Sequence, residues 1–487
     1  MLDAAGLADP AKREDLSMTR ALILSAVLVA GLVPAGARAQ SATNLAAIHG
    51  LAPLEALPNT YGGRAALGAN YTMTRAIQTG TSGQPTLLPF PEQQQQALRD
   101  AFITGGNLAE LADGLGTTLG AAYEARAHYT SQDSFTSLST ALQKLIAYTL
   151  GVTRGDSDAG KYFFANGTTN GKDAASDAAT AILKDMQATP DVFGRLYGHP
   201  AGSPGADRYG NSRPFQTIPG LLTITGRDYF GTAADNIVYN QGPIMDLVNS
   251  PSFPSGHTTY AFTGALLLSM LVPERYQALM TRAAEYGNDR IILGAHYAMD
   301  VIAGRTLATY DMAHLLANDH AYTGLTIKGS SPVKDFQAAV SAARDDATTI
   351  LQAGCGDAIP ACAEADHGRF SNLADDGAFY AGTLTYGLPV VFPKNVSGEE
   401  NVARMAPEAG YLLTVAFPAV SLAQADQILT ETEAPGGGFL DNGTPFGVYS
   451  RLDLFAAAGR AEALVAAMAP AKTGIKTGTQ TPTAPAQ

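Results

Sequence analysis

The run AFTGALLLSMLV, from Ala261 to Val272, carries no charge and stops at Pro273. A helix that is apolar on every side must be covered on every side. This one is too short to span a bilayer, which takes about 20 residues, so it predicts a buried core helix. No segment after residue 40 holds 18 or more uninterrupted apolar residues, and no later membrane span is expected. Helical patterns elsewhere supply the cover. They run over Pro91–Phe102, Phe135–Gly151, Asp173–Met186, His257–Leu271, Pro273–Tyr286 and His296–Leu316. A further one, Ser331–Gly354, reads with Ser331 as N-cap, Pro332 as its first residue and a closing Gly. Strand alternation is scarce before residue 380, so residues 40 to about 355 predict a mainly α fold.

The texture changes after the loop GCGDAIPAC, which holds the only two cysteines, Cys355 and Cys362. Their closeness suggests a local bridge, and two ligands are too few for a metal site. Beyond it come short apolar pieces such as Thr383–Phe392, a capping box at Ser421 and Gln424, and a closing helix over Arg451–Met468. Residues 356–469 therefore predict a smaller mixed extension, and the Pro/Thr/Gly-rich 470–487 a disordered tail.

The first 39 residues predict export. From Met18 the chain reads MTRALILSAVLVAGLVPAGARAQ: Arg20, an apolar stretch from Ala21 to Val33, then Ala37-Arg38-Ala39 before Gln40. These are the parts of a secretory signal with its cleavage site. The preceding 17 residues do not look like part of it, so translation is expected to start at Met18. A periplasmic or secreted location follows and permits the disulfide. A formal net charge of -13 argues against nucleic acid as the main partner.

Chemistry concentrates between residues 205 and 318. In FPSGHTTYAF a turn, Pro254-Ser255-Gly256, meets a helix start at His257. Unpaired N–H groups at such a joint attract an anion, and glycine lets backbone approach it. Downstream, in DRIILGAHYAMD, His296 and Asp300 stand four apart, as if on one helix face. Asp300 is placed to accept a hydrogen bond from Nδ1–H of His296, which fixes the tautomer and leaves Nε2 as a nucleophile. Arg290 lies at a loop-like Gly-Asn-Asp stretch, and Arg213 precedes Pro214 in YGNSRPF. Both guanidinium groups suit phosphate oxygens.

Together, Arg213-Pro214, Pro254-Ser255-Gly256-His257 and Arg290 with His296 and Asp300 resemble the signature of the type 2 phosphatidic acid phosphatase superfamily. That superfamily contains bacterial class A acid phosphatases and vanadium haloperoxidases. The run from PSFPSGHTTYAF to GAHYAMDVIAGR looks most like the soluble acid phosphatases. The resemblance implies a helical bundle with the site between helix ends. It also implies His296 as nucleophile, Asp300 as its orienter and His257 as proton donor. Arg213, Arg290, Ser255 and Gly256 would cradle the phosphoryl oxygens. No metal and no cofactor are implied, and small phosphate esters would be the partners. Two positions depart from the signature. Ala206 stands where the family has Lys, with Arg208 the nearest cation, and Asp289 stands where it has Ser. Asp289 is expected to point away from the phosphate. Two other readings stay open: a haloperoxidase carrying vanadate on His296, and a catalytically dead relative.

Overall fold

The structure, a computed structural model, describes residues 42–81, 86–102, 106–166, 199, 203–206, 210–242, 245, 247–327, 330–396 and 398–468. The expected signal segment, Arg208, the helix over Asp173–Met186 and the tail after residue 469 lie outside the described residues.

The N-terminal helices are α1 (Ala42–Leu51), α2 (Tyr61–Gln78), α3 (Phe90–Arg99), α4 (Thr117–Glu124) and α5 (Thr140–Asn166). The short α6 (Asn236–Gln241) then leads to α7 (Gly256–Leu271), α8 (Tyr276–Ile292) and α9 (Ala298–Leu316). The C-terminal elements are α10 (Phe336–Cys355), α11 (Ile359–Ala365), α12 (Leu373–Thr385), α13 (Leu422–Glu431), α14 (Pro445–Tyr449) and α15 (Leu454–Met468), with single turns between. Among the described residues the strands form only two antiparallel pairs, β1 (Tyr129–Ser131) with β2 (Ser134–Phe135) and β3 (Thr225–Arg227) with β4 (Ala233–Asp235). The fold is mainly α, as the periodicity predicts.

The apolar run is the centre of the molecule. Ser255 caps α7 by accepting from the Thr258 N–H at 3.1 Å, and every residue of the helix after Gly256 is buried. α5, α8, α9 and α10 surround it. α12 and α15 pack on the outer side of α8, so the residues after 355 share the core of those before it. The mixed texture expected there gives way to helices: no strand occurs among the described residues after 355. Cys355 and Cys362 are bridged, as expected. Among the described residues no helix is long and apolar enough to cross a membrane.

Several boundaries differ from the sequence reading for local reasons. Gly151 does not close α5, which runs on to Asn166. A Cβ there would stand 2.3 Å from Ile327 Cγ2, so the glycine serves close packing. α10 starts at Phe336 rather than near Ser331, because Asp335 caps the Ala338 N–H at 3.0 Å and Asn318 accepts from the Phe336 N–H. The Gly-Asn-Asp stretch before Arg290 is helical, with Gly287 admitting Thr258 and Val301 at 3.2 and 3.1 Å from a Cβ position. His296 lies before α9, with Tyr297 as N-cap and Asp300 in the first turn.

Hydrogen bonds join the three motifs. The Ser255 N–H donates to the Asp300 carbonyl at 3.0 Å and the Phe215 N–H to the Gly294 carbonyl at 3.0 Å. Asn211 links the first motif to the second, accepting from the Phe253 N–H at 3.0 Å and donating to the Phe253 carbonyl at 3.0 Å. Gly304 lets α9 approach the turn, since a Cβ there would meet the Ser255 carbonyl at 2.4 Å. Gly304→Ala should therefore lower stability by about 1–3 kcal/mol through overpacking. Gly155→Ala, in open space on α5, should be neutral or stabilising by about 0.5–1 kcal/mol. Urea unfolding of the two variants checks this; equal effects would contradict the close approach.

Candidate active site

The ends of α7, α8 and α9 and the Asn211–Arg213 segment bring the predicted residues together. His257 and His296 have ring centroids 5.6 Å apart. His296 Nδ1 lies 3.3 Å from Asp300 Oδ2, and its Nε2 lies 3.1 Å from Arg213 Nη1. A guanidinium N–H only donates, so Nε2 accepts and the proton sits on Nδ1, facing Asp300. The pair meets across the start of α9 rather than along one helix face. The Asp300 carboxylate is held by the Tyr297 N–H at 2.9 Å and by the Ser252 hydroxyl.

Arg213 is buried and clamped. Nε donates to the Ser250 carbonyl at 2.9 Å, Nη2 to the Pro251 carbonyl at 3.0 Å, and Nη1 to the Ala295 carbonyl at 3.0 Å. Arg290 stacks on Tyr286 at 4.5 Å and donates to the Tyr239 hydroxyl at 3.3 Å, while its Nη2 is buried without a partner. That hydroxyl lies 2.7 Å from His257 Nε2. The same Nε2 also lies 3.2 Å from Met245 Sδ. Asp289 points away as expected: its Oδ1 accepts from Gln93 Nε2 at 2.9 Å. Ala206 contributes only a methyl group. Arg208, expected as a nearby cation, lies outside the described residues.

A cavity of about 550 Å³ opens over Gly256 and His257, walled by α5 residues and by Arg213, Met245 and Tyr260. His296 is fully buried behind Arg213. Burial, then Arg213, His257, Lys161 and Arg290, hold His296 well below the usual histidine range. Burial, then Arg290, Arg213 and Lys161, do the same to His257. Burial pushes the Asp300 carboxyl up to about 6, against Ser252, the Tyr297 N–H, Arg213 and Lys161. The site thus presents two neutral imidazoles among fixed positive charges. No cluster of three or more metal-ligating side chains occurs among the described residues.

Sequence reasoning missed Ser252, Tyr239 and the α5 wall. Ser252 stands two residues before Pro254 and was open to notice. Tyr239 sits in a six-residue helix with no motif around it. The α5 wall was hidden because Gly151 reads as a helix end.

The family model described as PAP2 superfamily matches residues 205–320, the segment that carries all of these motifs. This segment is thus similar to the PAP2 superfamily. A non-specific acid phosphatase of Salmonella typhimurium is 31% identical over 169 residues, covering 32% of this chain and 63% of that protein. One of Salmonella typhi is 48% identical over 98 residues, covering 19% and 39%. An acid phosphatase of Zymomonas mobilis is 41% identical over 64 residues, covering 13% and 24%. The chain spans less than two thirds of the length of each of these relatives.

Imidazole ¹⁵N spectra should show His257 and His296 neutral at pH 6.5, with His296 protonated on Nδ1. Folding therefore excludes their protons. Their contribution to stability is full above the ordinary histidine value of about 6.5 and is lost as pH falls below it. Asp300 acts oppositely: its burial penalty is relieved as pH falls through about 6. A charged imidazolium at either position at pH 6.5 would contradict this electrostatic account.

Proposed function

We propose that this chain is an exported acid phosphatase that hydrolyses phosphomonoesters through a phosphohistidine, without a metal. The observation that carries the reading is the setting of His296: its Nδ1 faces Asp300, and its Nε2 faces Arg213, which lines the cavity.

Arg213 donates to the Nε2 lone pair in the structure. A bound phosphoryl group takes the Arg213 N–H donors onto its own oxygens and frees Nε2. The lone pair then attacks phosphorus, the P–O ester bond breaks, and the Nδ1 proton stays with Asp300 as its acceptor. Arg213, Arg290, the Ser255 hydroxyl and the Gly256 N–H hold the equatorial oxygens, where most of the charge lies. His257 protonates the leaving alkoxide. Because burial and the neighbouring cations keep His257 neutral, its proton must arrive with the substrate, whose negative charge favours the imidazolium. Water then attacks the phosphohistidine and returns a proton to His257, and inorganic phosphate leaves. The depressed affinity of His296 for protons keeps the nucleophile competent in acid.

The guanidinium groups supply the positive charge that a metal brings elsewhere, which supports metal independence. Small soluble esters fit a cavity of this size, and the names of the matched phosphatases support the same class. The N-terminal signal pattern supports export, with a mature chain beginning at Gln40.

Hydrolysis of nitrophenyl phosphate should persist in chelator. His257→Ala should lose about 10²–10⁴-fold on an alkyl phosphate, whose leaving group needs a proton. It should lose far less on nitrophenyl phosphate, which expels a stable anion. Equal losses would make His257 a binding residue only. Bromination that requires vanadate and peroxide, with no ester hydrolysis, would replace this reading with a haloperoxidase.

A further inference from the structure

The cavity wall opposite Gly256 comes from α5, which none of the phosphate motifs includes. Lys161 Nζ lies 3.1 Å, and Ser157 Oγ 3.4 Å, from the point where a Cβ on Gly256 would stand. Both side chains therefore approach the first turn of α7 closely at Gly256. Ser157 is 1% exposed and its hydroxyl has no hydrogen-bond partner. Buried hydroxyls are rarely left so. Lys161 is one helical turn further on the same face, partly buried and lining the same cavity. Asp158, beside them, is engaged at the rim by Arg154 at 3.4 Å.

We propose that Lys161 and Ser157 of α5 are direct ligands of the phosphoryl group. The proposal rests on the phosphomonoester reading above. The Lys161 ammonium and the Ser157 hydroxyl each donate to a phosphoryl oxygen beside the Gly256 N–H. A lysine thus reaches the phosphate from a different element of the chain.

Lys161 faces Arg154 and Asp158 on its own helix, and Arg213, Asp300, His257 and His296 across the cavity. Burial, partly offset by Asp158, lowers its ammonium to about 8. The group is therefore charged in acid and loses its charge as pH rises through that value.

Calorimetric binding of inorganic phosphate to the full chain at pH 6 and pH 9 tests this. Lys161→Ala should weaken binding roughly ten- to hundredfold at pH 6, as for loss of a charged hydrogen bond, and much less at pH 9. Lys161→Arg should bind nearly as the parent at pH 6 and more tightly than it at pH 9. Ser157→Ala should weaken binding at both. The titration of phosphate itself cancels in each ratio. Parent-like binding by Lys161→Ala at pH 6, or an equal loss at both pH values, would overturn the proposal. Should Lys161→Ala fail to fold, Lys161→Arg without any gain over the parent at pH 9 would overturn it equally. Phosphate binding without ester turnover would defeat the phosphatase reading alone, and no binding by the parent chain would defeat both.

Discussion

The hydrogen bond from the Ser255 N–H to the Asp300 carbonyl, 3.0 Å long, sets the position of everything else in the site. It locks the first turn of α7 to the first turn of α9, with Gly304 allowing the contact. His257 comes from one helix start and His296 from just before the other, so their separation follows from this single junction. Two helix N-termini converge there and add their positive ends to the field. The apolar, fully covered body of α7 makes the junction rigid. Moving its N-terminus would mean moving a helix that has no free face.

Charge accounts for the remaining design. Among the described residues Asp300 is the one carboxylate that meets His296 directly, and its charge is spread over the Ser252 hydroxyl and the Tyr297 N–H. A layer of further acids is paired off by arginines and a glutamine. Arg282 pairs with Asp100 at 2.6 Å and Asp113 at 2.7 Å, while Gln93 engages both Glu285 and Asp289. Arg369, from the C-terminal third, reaches Asp113 at 2.8 Å and also pairs with Glu285. That third therefore helps neutralise the acidic layer on which α8, and with it Arg290, is seated. Removing one partner of such a buried network leaves a charge uncompensated.

Much of this was legible in the sequence. The fully apolar run gave the core helix, and helical spacing gave the fold class. Residue chemistry at fixed gaps brought Arg213, the Pro254–His257 turn, Arg290, His296 and Asp300 together as a phosphate site. Asp289 was read as turned away, and the Gln93 contact bears that out. What stayed hidden depended on distant pairing. Glycine at 151 reads as a terminator by propensity, but close contact with Ile327 is what requires it there. That one misreading concealed Ser157 and Lys161. Tyr239 joins the site only through Arg290 and His257, partners 51 and 18 residues away. His296 and Asp300 meet as expected, though by a turn-to-helix geometry that their spacing alone does not reveal.

The account turns on His296 Nε2 as the atom that receives the phosphoryl group. Rapid quenching of the protein during turnover of a ³²P-labelled monoester, followed by peptide mapping under alkaline conditions, measures this directly. Label that is stable in alkali, lost in acid and confined to the peptide holding His296 is the predicted result. A protein that turns over substrate with no label on that peptide, or with label on another residue, would contradict it.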